Sequence, residues 1–452
     1  MDAASDTPSG GHDRGSAEAP ARASITAADG RHVAVQSEQA KHSVRTPDVR
    51  AGPATRPSLR PYAAALALWA AVLLVHLVAP SAVNSDQWAW KTGADARIER
   101  IQAIIDSHAD RSVFQKRVLT TMILRGIDAG LGDVRWSYVA LEFSLLLATA
   151  LLLVRIGREL GLDDHETMLS QLLFFASHTI FFWQFTPVNN YDEPIQFVVF
   201  YLALWCMIRR PARRVTGWGG CAVGPLLLAT LIGRETALLL LPGLVVFVGE
   251  VRKRVEPVHL FAVAAAVAAY FVFLRVFGYT LNDPQRIPSV LLRLNFGTRQ
   301  AAIESLLGIF VSLGMAGVVA LYYWRQHRGR LTRVDKAALG AFAVTLCVNV
   351  PVVFVSAISS EVRQLALPLV FVWPVAGRWL VRLLALREHR GATRLLWRYR
   401  WDLIKALLIV AVVFGFYEPR YLTKLYQSYA AAFLLGWLAI HRETRRDTWG
   451  WK

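Results

Sequence analysis

The sequence predicts an all-α fold, a polytopic bundle of about twelve transmembrane helices, and three observations predict it. Of 452 residues, 54% are hydrophobic and only 18% are charged. Apolar runs of about twenty residues recur, the length a helix needs to cross roughly 30 Å of hydrocarbon. Lys and Arg crowd into alternate connections, as they do where loops stay on the cytoplasmic side of a membrane.

Residues 1–58 come first and differ from the rest. They are rich in Ala, Ser, Gly, Asp and Arg, show no apolar periodicity, and hold too little apolar surface to offset the entropy of ordering. They are expected to be a disordered cytoplasmic tail, followed by a transmembrane domain over 59–452. The first apolar run begins near Tyr62, no cleavage site follows it, and it is retained as a span.

Apolar segments then follow at 62–82, 136–154, 168–186, 195–208, 219–232, 236–249, 258–278, 302–323, 337–357, 365–381, 403–416 and 425–440. Five connections are plainly basic: Arg209–Arg214, Arg252–Arg254, Arg325–Lys336, Arg382–Arg400 and His441–Lys452. With the mixed 155–167 loop they carry 24 Lys or Arg in 65 residues, against a much sparser set elsewhere. All fall on one side when 219–249 forms a hairpin, which places both termini in the cytoplasm. That hairpin is short for two full spans, so a re-entrant pair tipped by Gly233-Arg234-Glu235-Thr236 is the alternative.

The formal charge of +17 is explained by these loops, because the first 60 residues hold 8 basic and 7 acidic side chains. The expected partner is therefore membrane lipid, and nucleic acid is not implied. Cys206, Cys221 and Cys347 lie in apolar segments without metal-ligand spacing and read as buried small hydrophobes. No Walker loop, GxSxG elbow, HExxH or internal repeat is present. No metal site and no cofactor are expected.

The longest outer connection, 83–135, carries two amphipathic stretches. Ala94–His108 places Ile98, Ile101, Ile104 and Ile105 on one stripe. Phe114–Leu131 places Val118, Leu119, Met122, Ile123 and Ile127 on one stripe, with Lys116, Arg117 and Arg125 elsewhere. Both are expected to be helices, the first lying along the interface and the second lying flat or dipping into the bilayer.

With this topology, ionisable residues outside the basic loops gather on the outer face. Charges at membrane depth cost roughly 2.5 to 3.5 kcal/mol each on insertion scales, so a wet pocket is implied. Asp86, in Asn84-Ser85-Asp86-Gln87-Trp88 just after the first span, is either a general base for an acceptor hydroxyl or a helix-end cap. Asp192 and Glu193, before Pro194, make an acidic helix start or bind sugar hydroxyls or a divalent cation. Arg234 and Glu235 either neutralise one another or pair with Glu361 and Arg363. Alternatively, Arg234 and Arg363 offer planar forks to a lipid phosphate. Arg117 either snorkels to headgroups or joins the substrate site.

On these residues the chain resembles bacterial membrane proteins of the glycosyltransferase C superfamily, over about 60–440. The resemblance rests on a cytoplasmic N-terminus, a long first outer loop with interfacial helices, and an acid directly after span one. Gln115-Lys116-Arg117-Val118-Leu119, Tyr191-Asp192-Glu193-Pro194 and Gly233-Arg234-Glu235-Thr236-Ala237-Leu238 look like segments of a large group of such bacterial proteins. The resemblance implies Asp86 as catalytic base and a polyprenyl-phosphate sugar as donor, used on the outer side of the bacterial inner membrane. One departure is that Asn84-Ser85-Asp86 offers a single acid where many superfamily members carry two, which argues against a metal-dependent mechanism.

The function expected is transfer of a sugar from that donor to a lipid, glycan or polymer, with Asp86 as base. Arg117, Asp192, Glu193, Arg234, Glu235, Glu361 and Arg363 form the substrate site. The alternatives are a transporter or flippase of an anionic lipid or solute, and a polysaccharide polymerase or assembly subunit. A transporter would place charges at both halves of the membrane.

Overall fold

The computed structural model describes residues 58–78, 102–103, 105–106, 115–177, 193–209, 218–280, 287–357 and 362–383, and near the C-terminus 400–401, 404–405, 408, 434, 436–438 and 440–442. No strand occurs among the described residues. The helices are α1 (Arg60–Val78), α2 (Val118–Leu131), α3 (Val134–Glu159), α4 (Asp164–Phe175), α5 (Glu193–Ile208) and α6 (Trp218–Gly233). After a 3-10 segment, Glu235–Leu240, come α7 (Leu241–Arg252), α8 (Pro257–Val276), α9 (Pro288–Phe296), α10 (Arg299–His327) and α11 (Arg333–Ser356). A second 3-10 segment, Val362–Phe371, leads into α12 (Ala376–Leu383).

Local chemistry sets where these helices begin. Asp163 and Glu166 form a capping box at α4, and Thr332 with Asp335 forms another at α11. Pro257 and Pro288 open α8 and α9 at a position where the missing N–H costs nothing. Glu193 opens α5, as the Asp-Glu-Pro turn predicts.

Among the described residues four helices are long and apolar enough to cross a membrane: Trp136–Glu159, Pro257–Val276, Arg299–His327 and Arg333–Ser356. Arg60–Leu74, Glu193–Ile208 and Ala222–Gly233 are apolar but shorter. The expected span at 365–381 is not one helix: its halves, Gln364–Phe371 and Ala376–Leu383, meet at 76°. Pro368 and Pro374 account for the difference, since neither can donate to an α-helical ladder. Counted as one span, the bent pair makes a fifth. Most of segments 403–416 and 425–440 and nearly all of the tail lie outside the described residues.

This bent segment is the centre of the core. Leu365 to Trp379 is almost wholly buried, with Trp373 at the bend edge-on to Phe174 of α4 and Phe197 of α5, at 5.1 and 5.8 Å between ring centroids. Phe371 meets Phe200 and Phe247. Close helix approach depends on glycine at two places. A Cβ on Gly243 of α7 would press on Thr345 and Phe371, and one on Gly377 of α12 would overlap the backbone of Glu166 and Ser170 in α4. Gly314, at φ 51°, interrupts α10 in a conformation that favours glycine.

Contacts at the helix ends sort into two sets. In one, Arg158 at the end of α3 bonds the Ser58 carbonyl before α1, and Arg252 at the end of α7 donates to the Arg209 carbonyl at 2.5 Å, just past α5. Arg378 of α12 pairs with Glu166 of α4 at 3.3 Å and donates to the Gly161 carbonyl at 2.8 Å. Asp335 accepts from Trp379 at 2.7 Å and from Tyr323 at 3.0 Å, and faces Arg382 at 3.4 Å. In the other set, Asn295 of α9 donates to the carbonyls of Phe354 and Ala357 at the end of α11, at 2.9 and 3.0 Å.

Two expectations need correction. The cysteines are not buried: Cys206 is half-buried and Cys347 is on the outer surface of α11, while the Cys221 side chain lies outside the described residues. Lipid contact satisfies a thiol on an apolar helix as well as protein contact does. Arg378, inside the expected span 365–381, is a buried charge at the other end, paired with Glu166 of the 155–167 connection, while Asp335 and Arg382 belong to the basic connections themselves. Both carboxylates are third-position members of capping boxes, so helix starts account for their burial.

Candidate functional site

The second set of helix ends contains the cluster of interest, built around the tip of the α6–α7 hairpin. Helix α6 ends at Gly233, and Arg234 takes an extended conformation, φ −162° and ψ 125°. Neighbouring side chains on extended backbone point to opposite sides. Arg234 and Glu235 therefore do not take each other as ion-pair partners, although the Arg234 charge still lowers the Glu235 carboxyl.

Each finds its partner on another helix. Arg234 Nη2 lies 2.7 Å from Glu193 Oε1, at the first residue of α5. Gly233 permits this, since a Cβ there would stand 3.1 Å from Ile195. Glu235 takes Arg117 in a two-point pair: Arg117 Nε donates to Oε2 at 2.8 Å and Nη2 donates to Oε1. Lys116 Nζ stands 3.6 Å from the same Oε1 and donates to the Thr280 carbonyl, beyond α8, at 3.2 Å. Thr236 donates its hydroxyl to Gln196 Oε1 at 3.1 Å, bridging the hairpin tip to α5.

The burial is deep. Lys116 is 1% exposed, Arg234 2%, Glu193 6% and Arg117 8%. Arg117 therefore does not snorkel to headgroups; it turns inward. Lys116 and Arg117 also sit at the start of α2, where the helix dipole disfavours cations. Glu235 answers both the dipole and the two positive charges.

Burial alone would push the Glu235 carboxyl up, but the charge and hydrogen bonds of Arg117, with the charges of Lys116 and Arg234, outweigh it. They hold the carboxyl down at about 2. It stays ionised across the physiological range. The cluster is thus a permanently charged set of two carboxylates and three cations drawn from the approach to α2, the start of α5 and the hairpin tip.

Of the sequence-predicted site residues, the structure brings together Arg117, Glu193, Arg234 and Glu235. Asp86, Asp192 and Glu361 lie outside the described residues. So does the side chain of Arg363, whose backbone belongs to the second 3-10 segment. Lys116, Gln196, Thr236 and Thr280 join the cluster without having been singled out as site residues. Only Lys116 carried a signal, as a second cation placed against the dipole of the helix it precedes. Of the amphipathic pair in the first outer loop, the second forms a helix over Val118–Leu131, which is α2, and Phe114 lies outside the described residues. Ile105, in the first stretch, packs with Leu124, Val134, Tyr138 and Leu141.

Among the described residues no group of three or more His, Cys, Asp or Glu is placed to hold a metal ion. Chemically, the cluster can bind an anion: two guanidinium forks and an ammonium meet where carboxylates already sit. No protein-family model matches the chain, and no curated protein matches it.

Proposed function

We propose that the protein is an integral membrane glycosyltransferase of the bacterial inner membrane. It moves a sugar from a polyprenyl-phosphate donor to a lipid, glycan or polymer acceptor on the extracytoplasmic side. One observation carries this reading: Lys116, Arg117 and Arg234 converge at one end of an apolar helix bundle, buried and each within reach of a carboxylate. A lipid phosphate presents the same charge and the same oxygen geometry to a guanidinium fork as those carboxylates do.

In the proposed reaction the Asp86 carboxylate takes the acceptor hydroxyl proton, and the acceptor oxygen forms a bond to the sugar's anomeric carbon. The bond from that carbon to the phosphate oxygen breaks, and its electron pair leaves with the lipid phosphate. Arg117 and Arg234, with Arg363, stabilise the departing phosphate, and Asp192 and Glu193 orient sugar hydroxyls. Fixed cations in a water-poor site act mainly on the charge that develops as the leaving group departs.

Transfer from a radiolabelled polyprenyl-phosphate sugar in proteoliposomes tests this, with lipid-linked glycans read by mass spectrometry. Asp86→Asn is expected to abolish transfer at normal protein levels; full activity in that variant would refute its role as base. A transporter of an anionic lipid is the second reading, favoured by the buried ion pairs at both ends of the bundle. Movement of the lipid across the bilayer without covalent transfer would support it instead.

A further inference from the structure

On helices that meet at the hairpin, three buried polar atoms have no hydrogen-bond partner among the described residues: the Tyr270 hydroxyl, the Thr120 hydroxyl and the Gln196 amide nitrogen. Their residues are 0%, 0% and 1% exposed, so bulk water does not serve them. They belong to α8, α2 and α5, and all three helices pack on α6, whose end carries Arg234. Tyr270 packs against Leu231 and Ala237, which flank the hairpin tip, and lies within electrostatic reach of Glu235 and Arg117. Gln196 stands one turn beyond Glu193 and uses its carbonyl oxygen on Thr236, which leaves its N–H pair. Thr120 stands one turn beyond Lys116 and Arg117.

An unmet buried donor destabilises a fold, and Phe, Val or Leu would fill these places without that penalty. Three around one charged cluster point to a ligand that meets them. All three are neutral donors, and neutral donors complement hydroxyl oxygens where cations complement phosphate. We propose that Tyr270, Gln196 and Thr120 form a subsite for the hydroxyl groups of a sugar whose phosphate is held by Arg117, Arg234 and Lys116. This rests on the transferase reading for the identity of the anion. Such a site discriminates strongly, because a ligand lacking the hydroxyl leaves the donors buried and unmet.

The test is equilibrium binding to the full chain in nanodiscs. The probes are a short polyprenyl phosphate esterified with a hexose, with a pentose, or with methanol; all three are phosphodiesters of equal charge. Wild-type protein is expected to bind one sugar ester at least about 10-fold more tightly than the methyl ester. Tyr270→Phe and Gln196→Leu should each weaken that sugar ester by about 5- to 10-fold, the loss of one hydrogen bond, and leave the methyl ester unchanged. Arg117→Gln should weaken all three. Thr120→Val, nearly isosteric, provides a third variant if either of the others fails to fold. Equal binding of all three esters by the wild type would overturn the subsite. So would unchanged sugar-ester binding in the variants, which would mean that the donors hold an ordered water only. No binding of any ester would instead remove the transferase reading on which the subsite depends.

Discussion

Glu235 binds Arg117 at two points and stands 3.6 Å from Lys116, so one carboxylate neutralises much of the positive charge at the start of α2. An incoming phosphate must compete with it. Glu235→Gln is therefore expected to raise the affinity for a polyprenyl phosphate while lowering thermal stability, a pairing of effects that a purely structural ion pair does not produce. Titration and unfolding of the same sample measure both. Because the folded carboxyl is held at about 2, its contribution to stability is fully present above the unfolded value near 4.3 and is lost as pH falls toward 2. The stability gap between wild type and Glu235→Gln should be flat from pH 5 upward and close below about pH 4. At the second pair, Arg234→Ala is expected to cost about 3–5 kcal/mol by stranding Glu193. Adding Glu193→Ala should recover part of that loss in a double-mutant cycle. At this scale the sequence was readable for residue types and silent on partners: Arg117 and Glu235 are 118 positions apart, and nothing local to either names the other.

The capping boxes Asp163–Glu166 and Thr332–Asp335 start α4 and α11 four residues ahead of the apolar segments at 168 and 337, inside stretches that charge marks as connections. Asp-Glu-Pro does announce α5, because a helix start is local chemistry. The segment 365–381 misleads for the opposite reason. Its apolar content matches a straight span, and the two prolines that bend it report a break without reporting that the break is wrapped on every side by other helices. Gly377 marks how tight that wrapping is, since a methyl group would meet backbone of α4, which cannot rotate away. Gly377→Ala is expected to destabilise by about 1–3 kcal/mol or more in chemical unfolding in mixed micelles. A change under about 0.5 kcal/mol would place it among ordinary surface substitutions and show that α4 and α12 do not approach as described.

Across the molecule, the described arginines at the edges of the basic connections lie at the other helix ends from the hairpin tip. Arg158, Arg252 and Arg382 lie with one set of helix ends, and Lys116, Arg117 and Arg234 with the other. Four or five helices, where about twelve were expected, meet the length and apolarity of a span among the described residues. In a chain freed of its native cysteines, Arg299→Cys should react with a membrane-impermeant maleimide from outside intact cells, and Arg333→Cys only after lysis. The opposite pattern would turn the cluster toward the cytoplasm. The proposed role of the buried cations at the hairpin tip is to bind lipid-linked phosphate, and titration of purified protein with a polyprenyl phosphate measures it. Arg117→Gln and Arg234→Gln are each predicted to lose at least about 10-fold in affinity, as expected for charge-assisted hydrogen bonds. Wild-type affinity in both variants, each shown to be folded, would contradict it.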